Sequence, residues 1–320
     1  MIEIDGSHGE GGGQIIRTSL TLAAITQKPV RIMNIRANRP KPGLAAQHLT
    51  ACKAVRNICR GTLTGAEVGS TTLTFEPGPI VGGKYEFDIG TAGSVTLVAQ
   101  TIIPILINAS KESEIRIIGG THVMKSPGYD YFEKVFVPVI RKLGVKIETK
   151  MIKTGYYPKG GGIIDIEIKP CELHGCNDWQ HTEDIQAIIR IAGLQTSIAI
   201  REKKIFVQND ITKIYIREDD ALSIGNAITT WNGFRGVYVL GEKGKRAEIV
   251  AKEAIDILRK EEGDVDLHLA DQLLVYAALA KGETTYRTSE ITEHFRTNAE
   301  IIGRFIQRYI TYEKGNISIV

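Results

Sequence analysis

The spacing of apolar residues along the chain predicts amphipathic helices that alternate with short strands. Apolar residues of segment 13–26 recur at intervals of about three and four, the spacing of one helix face. Residues 29–36 and 71–77 instead read as short β-branched strands bounded by turn residues. The chain therefore begins as a mixed α/β protein.

The same order of elements appears three times. A helix, a strand, a second helix and closing strands can be placed in residues 11–77, again in 93–168 and again in 270–320. The repeat rests on hydrophobic patterning rather than on matched letters. Three such units predict one large domain in which sheets pack against helices.

Residues 178–263 lie between the second and third units and break the pattern. They contain four short strand candidates and then a helical segment that ends at Gly263. Polar, turn-rich stretches flank them on both sides. We therefore predict a large repeat domain, residues 1–177 plus 264–320, with a small α/β domain, 178–263, inserted into it.

Three consecutive glycines stand between a carboxylate and the first predicted helix. Glu10 precedes Gly11, Gly12 and Gly13, and Arg17 follows within the helix. Glycines tolerate positive φ angles and let a ligand approach the backbone, and a helix N-terminus favours an anion. The segment is either a phosphate-binding loop or a simple glycine-rich turn between a strand and a helix.

His294 is the first candidate for covalent chemistry. Thr297 and Glu300 have the spacing of a capping box, which places His294 in the loop just before a helix. The nearby helix dipole and Arg296 disfavour imidazolium, and the neutral imidazole is the form that attacks phosphorus. The alternative is a solvent-exposed loop histidine.

A basic loop supplies candidates for phosphate binding. Arg36, Arg39 and Lys41 lie in a segment stiffened by proline and glycine, and Gln47 and His48 follow on a predicted helix. Guanidinium groups match phosphate oxygens in a forked geometry. The alternative is a solvated basic loop.

Polar residues also stand in two apolar helices. His268, Asp271 and Gln272 lie at the start of one, where Asp271 either caps the helix or faces a nucleotide or metal. Gln100 interrupts the other, and a buried glutamine needs hydrogen-bond partners from the protein or a ligand. Residues 155–162, a second glycine cluster, read most simply as a hairpin turn.

Composition narrows the function classes. The 320 residues are 42% hydrophobic with a net charge of +3, enough apolar residues for a large core and too little charge to coat duplex nucleic acid. No long uncharged apolar run or signal-peptide pattern occurs, so no membrane association is expected. Cys171, His174 and Cys176 lack paired zinc spacing. We expect a cytoplasmic protein with reduced thiols.

Several motifs in sequence order resemble the RNA 3′-terminal phosphate cyclase family, catalytic branch. They cover nearly the whole chain and read GEGGGQIIRTSL, IRANRPKPGLAAQHL, GTAGSVTLVAQT, GYYPKGGG, LGEKGKRAEIVA, HLADQLL and EHFRTN. The resemblance implies the enolpyruvyl-transferase-like repeat fold with an inserted small domain of thioredoxin-like topology. It also implies a reaction in which an RNA 3′-phosphate and ATP give a 2′,3′-cyclic phosphate end, AMP and pyrophosphate.

The resemblance also implies partners and roles. Single-stranded RNA 3′-phosphate ends and ATP would be the partners, with Mg²⁺ or Mn²⁺ as metal, and a homodimer is one assembly left open. His294 would be adenylylated on Nε2, and Glu10 would hold the metal. The ATP-binding positions would be Gln100, His268, Leu269, Ala270, Asp271 and Gln272, and the phosphate path would be lined by Arg17, Arg36, Arg39 and Gln47.

Two rival functions remain at this level. A related branch without the nucleophilic histidine acts as a non-enzymatic factor in ribosomal RNA maturation, and the EHFRTN motif argues against it. An enolpyruvyl-transferase-like enzyme shares the repeated helix-sheet unit, but a shared fold does not establish function.

Overall fold

A computed structural model describes residues 1–9, 11–179 and 182–320 of the chain. Its helices are Gly13–Thr26 (α1), Ala46–Cys59 (α2), Val95–Leu106 (α3), Tyr129–Tyr131 (α4), Val137–Lys142 (α5), Thr196–Val207 (α6), Ala247–Lys260 (α7), Leu267–Leu279 (α8) and Glu293–Phe305 (α9). A π-helical segment, Phe132–Phe136, joins α4 to α5.

The strands lie in four sheets. They are Ile2–Asp5 (β1), Val30–Met33 (β2), Thr62–Thr64 (β3), Leu73–Glu76 (β4), Lys84–Asp88 (β5), Ser113–Gly119 (β6), Lys146–Lys153 (β7), Gly162–Lys169 (β8), Gln186–Ala192 (β9), Lys213–Glu218 (β10), Gly225–Asn232 (β11), Arg235–Leu240 (β12), Thr284–Arg287 (β13), Ile310–Glu313 (β14) and Asn316–Ile319 (β15).

Three of the sheets follow the predicted repeats. Their strand orders are β1-β2-β4-β3, β5-β6-β8-β7 and β13-β15-β14. In the first two, a parallel pair is joined through a helix and the remaining pairings are antiparallel. Within the described residues the third sheet has the same order without a leading strand. The prediction of several helix-sheet units in an α/β protein is confirmed.

Helix α1 lies at the centre of the repeat sheets' core. Nine of its fourteen residues are buried, among them Ile15, Ile16 and Leu20, and it contacts α2, α3 and α9. A helix that is apolar on most faces must be covered on all of them. The N-terminus of α1 therefore lies where several helices meet.

The fourth sheet, ordered β10-β9-β11-β12, belongs to what we call the small unit, residues 186–260. Helices α6 and α7 cover one of its faces, where Ile189, Phe206 and Ile255 form a separate apolar cluster. The other face packs on the main core through Ile188 and Trp231. Sequence patterning located all four strands and α7 but missed α6, whose charged residues interrupt its apolar spacing.

The expected starts of two helices need correction. Helix α9 begins at Glu293, because the side chain of Thr292 accepts a hydrogen bond from the Phe295 amide. His294 therefore lies in the first turn and not in the preceding loop, and Thr297 is buried within the helix rather than capping it. Thr292 and Thr297 are both possible caps here, and the cap falls on Thr292, where the backbone is extended.

Helix α8 is capped by Asp266, whose carboxylate accepts from the amides of His268 and Leu269. The alternative in which Asp271 caps this helix is therefore wrong, since Asp271 lies one turn further along.

Residues 155–162 connect the antiparallel strands β7 and β8, which confirms the hairpin prediction. No helix in the described part of the chain is long and apolar enough to cross a membrane.

Candidate active site

The glycine-rich segment before α1 has a backbone that side chains would obstruct. Gly9 and Gly11 have φ angles of +54° and +56°, in the left-handed region that favours glycine. A Cβ at position 13 would lie 2.3 Å from Nε2 of His48. Gly12 is the N-cap and offers no side-chain cap. This geometry suits a phosphate-binding loop, an interpretation that stays a prediction.

Gln14, in the first turn of α1, joins two helices that are far apart in sequence. Its Oε1 lies 2.7 Å from Nδ1 of His294 on α9, and its Nε2 donates to Oδ2 of Asp271 on α8 at 2.6 Å. The carboxylate of Asp271 fixes which end of the amide is the donor. The Nδ1 of His294 then donates to this oxygen, and Nε2 is the ring nitrogen that points away from Gln14.

Burial shifts the pKa values of the ionisable groups next to the hydrogen bonds that join Asp271, Gln14 and His294. Loss of hydration raises the pKa of Asp271 to about 7, and the Gln14 hydrogen bond and nearby Arg17 only partly oppose it. Loss of hydration also lowers the pKa of Arg17 to about 10, with Asp271 acting in the other direction. Arg17 remains a cation at neutral pH beside the N-terminus of α1.

Three further basic side chains follow one another from Arg17: His48 lies within electrostatic range of Arg17 and Arg36, and Arg36 within range of Arg39. Burial, reinforced by the charges of Arg17 and Arg36, lowers the pKa of His48 to about 3, so its imidazole is neutral. Its Nδ1 accepts from the Ala45 amide at 3.2 Å, which leaves the proton on Nε2, beside Gly13. Burial and the charge of Arg39 lower the pKa of Arg36. The basic loop thus converges on the glycine segment.

The remaining predicted residues lie on α2, α3 and α8. Gln47 accepts a hydrogen bond from the Ser94 amide at 3.1 Å, which ties α2 to the start of α3. Gln100 donates to Oε1 of Gln272 at 2.5 Å, and Gln272 in turn donates to the His268 carbonyl. Since Gln272 adjoins Asp271, the glutamine pair lies next to the His294 chain.

The five consecutive α8 residues differ in what they can offer a ligand. His268 is exposed, and Asp271 and Gln272 are half-buried. Leu269 and Ala270 are buried in the main core, so a ligand could meet only their backbone. Alternation of this kind follows from the helix period, which turns successive residues to different sides.

Glu10, the predicted metal ligand, lies outside the described residues. Within the described ranges, no three His, Cys, Asp or Glu side chains are grouped as a metal site. Mg²⁺ commonly uses one or two carboxylates together with water and substrate phosphates, so it does not need such a group.

Sequence reasoning missed Gln14 as a site residue. A polar residue in the first turn, directly after three glycines and before an apolar run, was the available signal. Asn298 was missed as well. It accepts from Thr18 at 2.7 Å and donates to the Asp271 carbonyl, which fastens α1, α8 and α9 together around the site.

Fold and site together define an α/β protein in which one histidine is held through a glutamine and a carboxylate beside a glycine-lined helix N-terminus. Comparison with known proteins gives the family. The profile of the family described as RNA 3′-terminal phosphate cyclase matches residues 8–312. The chain therefore belongs to the RNA 3′-terminal phosphate cyclase family, and it is a member of a family of enzymes.

Relatives named RNA 3′-terminal phosphate cyclase cover almost the full chain. The chain is 42% identical to the one from Archaeoglobus fulgidus over 100% of both sequences. It is 46% identical to the one from Sulfurisphaera tokodaii, over 96% of this chain and 94% of the relative, and 41% identical to the one from Methanosarcina barkeri, over 98% and 97%.

Proposed function

We propose that this protein converts an RNA 3′-terminal phosphate into a 2′,3′-cyclic phosphodiester with ATP, through an adenylylated His294. One observation carries the proposal: the hydrogen-bonded chain from Asp271 through Gln14 to Nδ1 of His294. This chain orients a neutral imidazole as a nucleophile next to a glycine-lined helix N-terminus.

In the first step, the Nε2 lone pair of His294 attacks the α-phosphorus of ATP. The N–P bond forms as the bond to the leaving oxygen breaks, and pyrophosphate departs. The ring then carries a positive charge, which the amide oxygen of Gln14 and the Asp271 carboxylate stabilise through the Nδ1 proton. Arg17 and the first amides of α1 offset the charge of the phosphates.

In the second step, a terminal phosphate oxygen of the RNA attacks the phosphorus of the histidine-bound AMP. His294 regains its neutral ring and the RNA carries an activated phosphoanhydride. The adjacent 2′-hydroxyl then attacks the RNA phosphorus, loses its proton and expels AMP. Arg36, which lies near His48, and its neighbour Arg39 suit binding of this terminal phosphate.

The nucleotide and metal would occupy the same region. His268 offers a flat, exposed ring to adenine, and Gln100 and Gln272 offer amide groups beside it. Glu10 would provide a carboxylate to Mg²⁺ or Mn²⁺, and the triphosphate oxygens would complete the coordination. When bound, the metal supplies charge neutralisation at the phosphates.

The thioredoxin-like topology of the insert, the cytoplasmic location and the homodimer are also part of this proposal. The β9-α6-β10 unit is parallel and the β11-β12 pair is an antiparallel hairpin followed by α7, an order that supports a thioredoxin-like insert spanning 178–263. All four cysteines are free thiols, which supports a cytoplasmic location for RNA processing. A homodimer is testable by light scattering in solution.

The decisive experiment measures transfer of label from α-labelled ATP to the protein with Mg²⁺ and then with Mn²⁺. We expect acid-labile, alkali-stable label on the wild type and none on His294→Ala. The matched control is His174→Ala, which removes an exposed histidine elsewhere and should label normally. Addition of RNA with a 3′-phosphate should discharge the label and yield a cyclic end.

Two results would overturn the proposal. Equal labelling of wild type and His294→Ala would show that another residue is the nucleophile. Absence of label on folded wild type with either metal would instead favour the non-catalytic factor in ribosomal RNA maturation. If RNA with a 3′-hydroxyl removes the label from the protein as well as RNA with a 3′-phosphate does, the proposed substrate is contradicted.

A further inference from the structure

Four large apolar side chains are exposed on two neighbouring segments, the β7–β8 hairpin loop and the end of β10 with the loop after it. Their exposed fractions are 69% for Tyr157, 44% for Tyr215, 52% for Leu222 and 68% for Ile224. With Arg217 we call them the tyrosine patch. Exposed apolar groups that form a contiguous patch mark interaction surfaces.

Strand register places part of this patch on one face. β10 is an edge strand, and Ile214 and Ile216 point into the small unit's own core. Side chains alternate along a strand, so Tyr215 and Arg217 share the opposite face. The guanidinium of Arg217 lies 5.8 Å from the centre of the Tyr215 ring, an arrangement that extends the flat surface.

The hairpin loop lies directly against this segment. The amide of Lys159 donates to Oγ of Ser223 at 3.2 Å, and a Cβ at Gly161 would meet Leu222 at 2.5 Å. Gly161 has a φ angle of +71°, so the loop passes close to Leu222 only because no side chain intervenes. Tyr157 and Lys159 are thus joined to the β10 end of the patch.

The other side of the same loop reaches the proposed phosphate site. A Cβ at Gly160 would lie 2.9 Å from Cα of Ala92, and one at Gly93 would lie 2.9 Å from Cβ of Gln47. Gln47 is the second residue of α2 and precedes His48, which borders Gly13. A series of close contacts therefore links the α1 N-terminus, through Gln47 and residues 91–93, to the hairpin loop that carries Tyr157.

Building on the proposed function, we propose that the tyrosine patch binds the single-stranded RNA upstream of the terminal phosphate, by stacking its bases on Tyr157 and Tyr215. Aromatic rings and a stacked arginine suit unpaired bases of any sequence. Arg217 and Lys159 face the RNA backbone. Continuity with the phosphate site identifies RNA as the occupant, since the strand must leave that site over an adjoining surface.

The charges of this region set the kind of binding. Asp219 is paired with Arg190, and Lys213 with Asp184, so these groups contribute little net charge. Asp220 is exposed and opposes the cations. The patch therefore works through stacking more than through ion pairs, and the salt dependence that it adds to RNA binding is shallow.

The test compares two RNAs with 3′-phosphates, one of about three nucleotides and one of about ten, a span within the usual size of single-strand sites. Their affinities are measured by fluorescence anisotropy without ATP. Tyr157→Ala and Tyr215→Ala should each weaken the longer RNA about tenfold. The same variants should bind the shorter RNA, and accept label from ATP, as the wild type does.

Conservative and remote variants separate stacking from folding effects. Tyr157→Phe and Tyr215→Phe keep the ring and should bind the longer RNA normally. Tyr309→Ala removes a tyrosine that is 82% exposed next to another sheet and should change nothing. Thermal unfolding of each variant checks the fold.

Failure of this proposal can be told apart from failure of the proposed function. If long and short RNA bind the alanine variants with the same affinities as wild type, the patch does not bind RNA, whatever the result of labelling. If both RNAs weaken equally, the patch affects the phosphate site rather than the upstream strand, which also overturns the proposal. Absence of label on wild type would count against the proposed function alone.

Discussion

Two of the networks that join a histidine to a carboxylate in the described residues differ in their surroundings. His294 is half-buried and reaches Asp271 through Gln14 at the helix N-termini. His122 is buried between the repeat sheets and the small unit, with Nδ1 bonded to Thr121 and Nε2 to Asp130 at 3.0 Å. The first lies beside a ligand-accessible backbone and the second is enclosed.

The pKa values of the two carboxylates, Asp130 and Asp271, show the effect of these different surroundings. Burial alone would raise the pKa of Asp130, but hydrogen bonds and charge from His122 and Arg190 hold it well below its usual range. Asp271 has a neutral amide as its hydrogen-bond partner, and there burial raises the pKa to about 7. A carboxylate that is paired with cations stays charged and stabilises an interface. A buried carboxylate whose loss of hydration is only partly offset by hydrogen bonds and charges has a pKa near neutral pH.

The largest expected effect is on stability at the enclosed network. Asp130→Ala removes the carboxylate that His122 and Arg190 share, leaves Arg190 with Asp219 alone, and should lower the free energy of unfolding by about 3–5 kcal/mol. Urea denaturation measures it, with Asp271→Ala as the matched comparison. Asp271→Ala should lower the free energy of unfolding less than Asp130→Ala does. It should reduce the labelling of the protein by ATP more than Asp130→Ala does. Equal losses of stability would remove the distinction between the networks.

Gln14→Ala should slow labelling of His294 roughly 10- to 100-fold, the range typical of groups that orient a reactive ligand. The nucleophile remains, but its Nδ1 proton loses the oxygen that holds it. Single-turnover labelling measures the rate, with exposed Gln208→Ala as control. An unchanged rate in Gln14→Ala would show that the ring is oriented without this amide.

Gly13→Ala tests the close approach at the start of α1. The added Cβ, 2.3 Å from His48 and 3.0 Å from Arg17, should displace both and raise the KM for ATP about tenfold. Gly303→Ala is the control, because a Cβ there meets nothing within 4 Å. It should stabilise α9 by about 0.5–1 kcal/mol without affecting catalysis. Normal kinetics in Gly13→Ala would contradict the geometry.

The smallest expected effect is the pH dependence of stability. A carboxyl with a raised folded-state pKa binds its proton more tightly when folded, so the contribution of Asp271 is complete below pH 3.8 and is lost as the pH rises through about 7. Asp130, with a lowered pKa, contributes stability above pH 3.8 that is lost in acid. Differences between wild type and the Asp271→Asn or Asp130→Asn variants should therefore change with pH in opposite directions.

The predictions that succeeded depended on local periodicity. The repeat of helix and strand, the glycine-preceded start of α1 and the hairpin at 155–162 were all readable, because each is set by neighbours a few residues apart. Helix starts were less secure. Thr292 caps α9, where the spacing had predicted Thr297, and Asp266 caps α8, where Asp271 was one of two interpretations. Several polar residues near each helix start could act as the cap.

The sequence by itself determined the α/β class, the repeated units and the residue types available for phosphate chemistry. Only the tertiary structure decided that Gln14 connects His294 to Asp271, across 280 and 257 positions of the chain. It also decided that His122, in a similar pairing, is enclosed. Hydrophobic periodicity fixes which face of each element is buried, but burial and partners of a polar group depend on how separate elements pack, which no local pattern encodes.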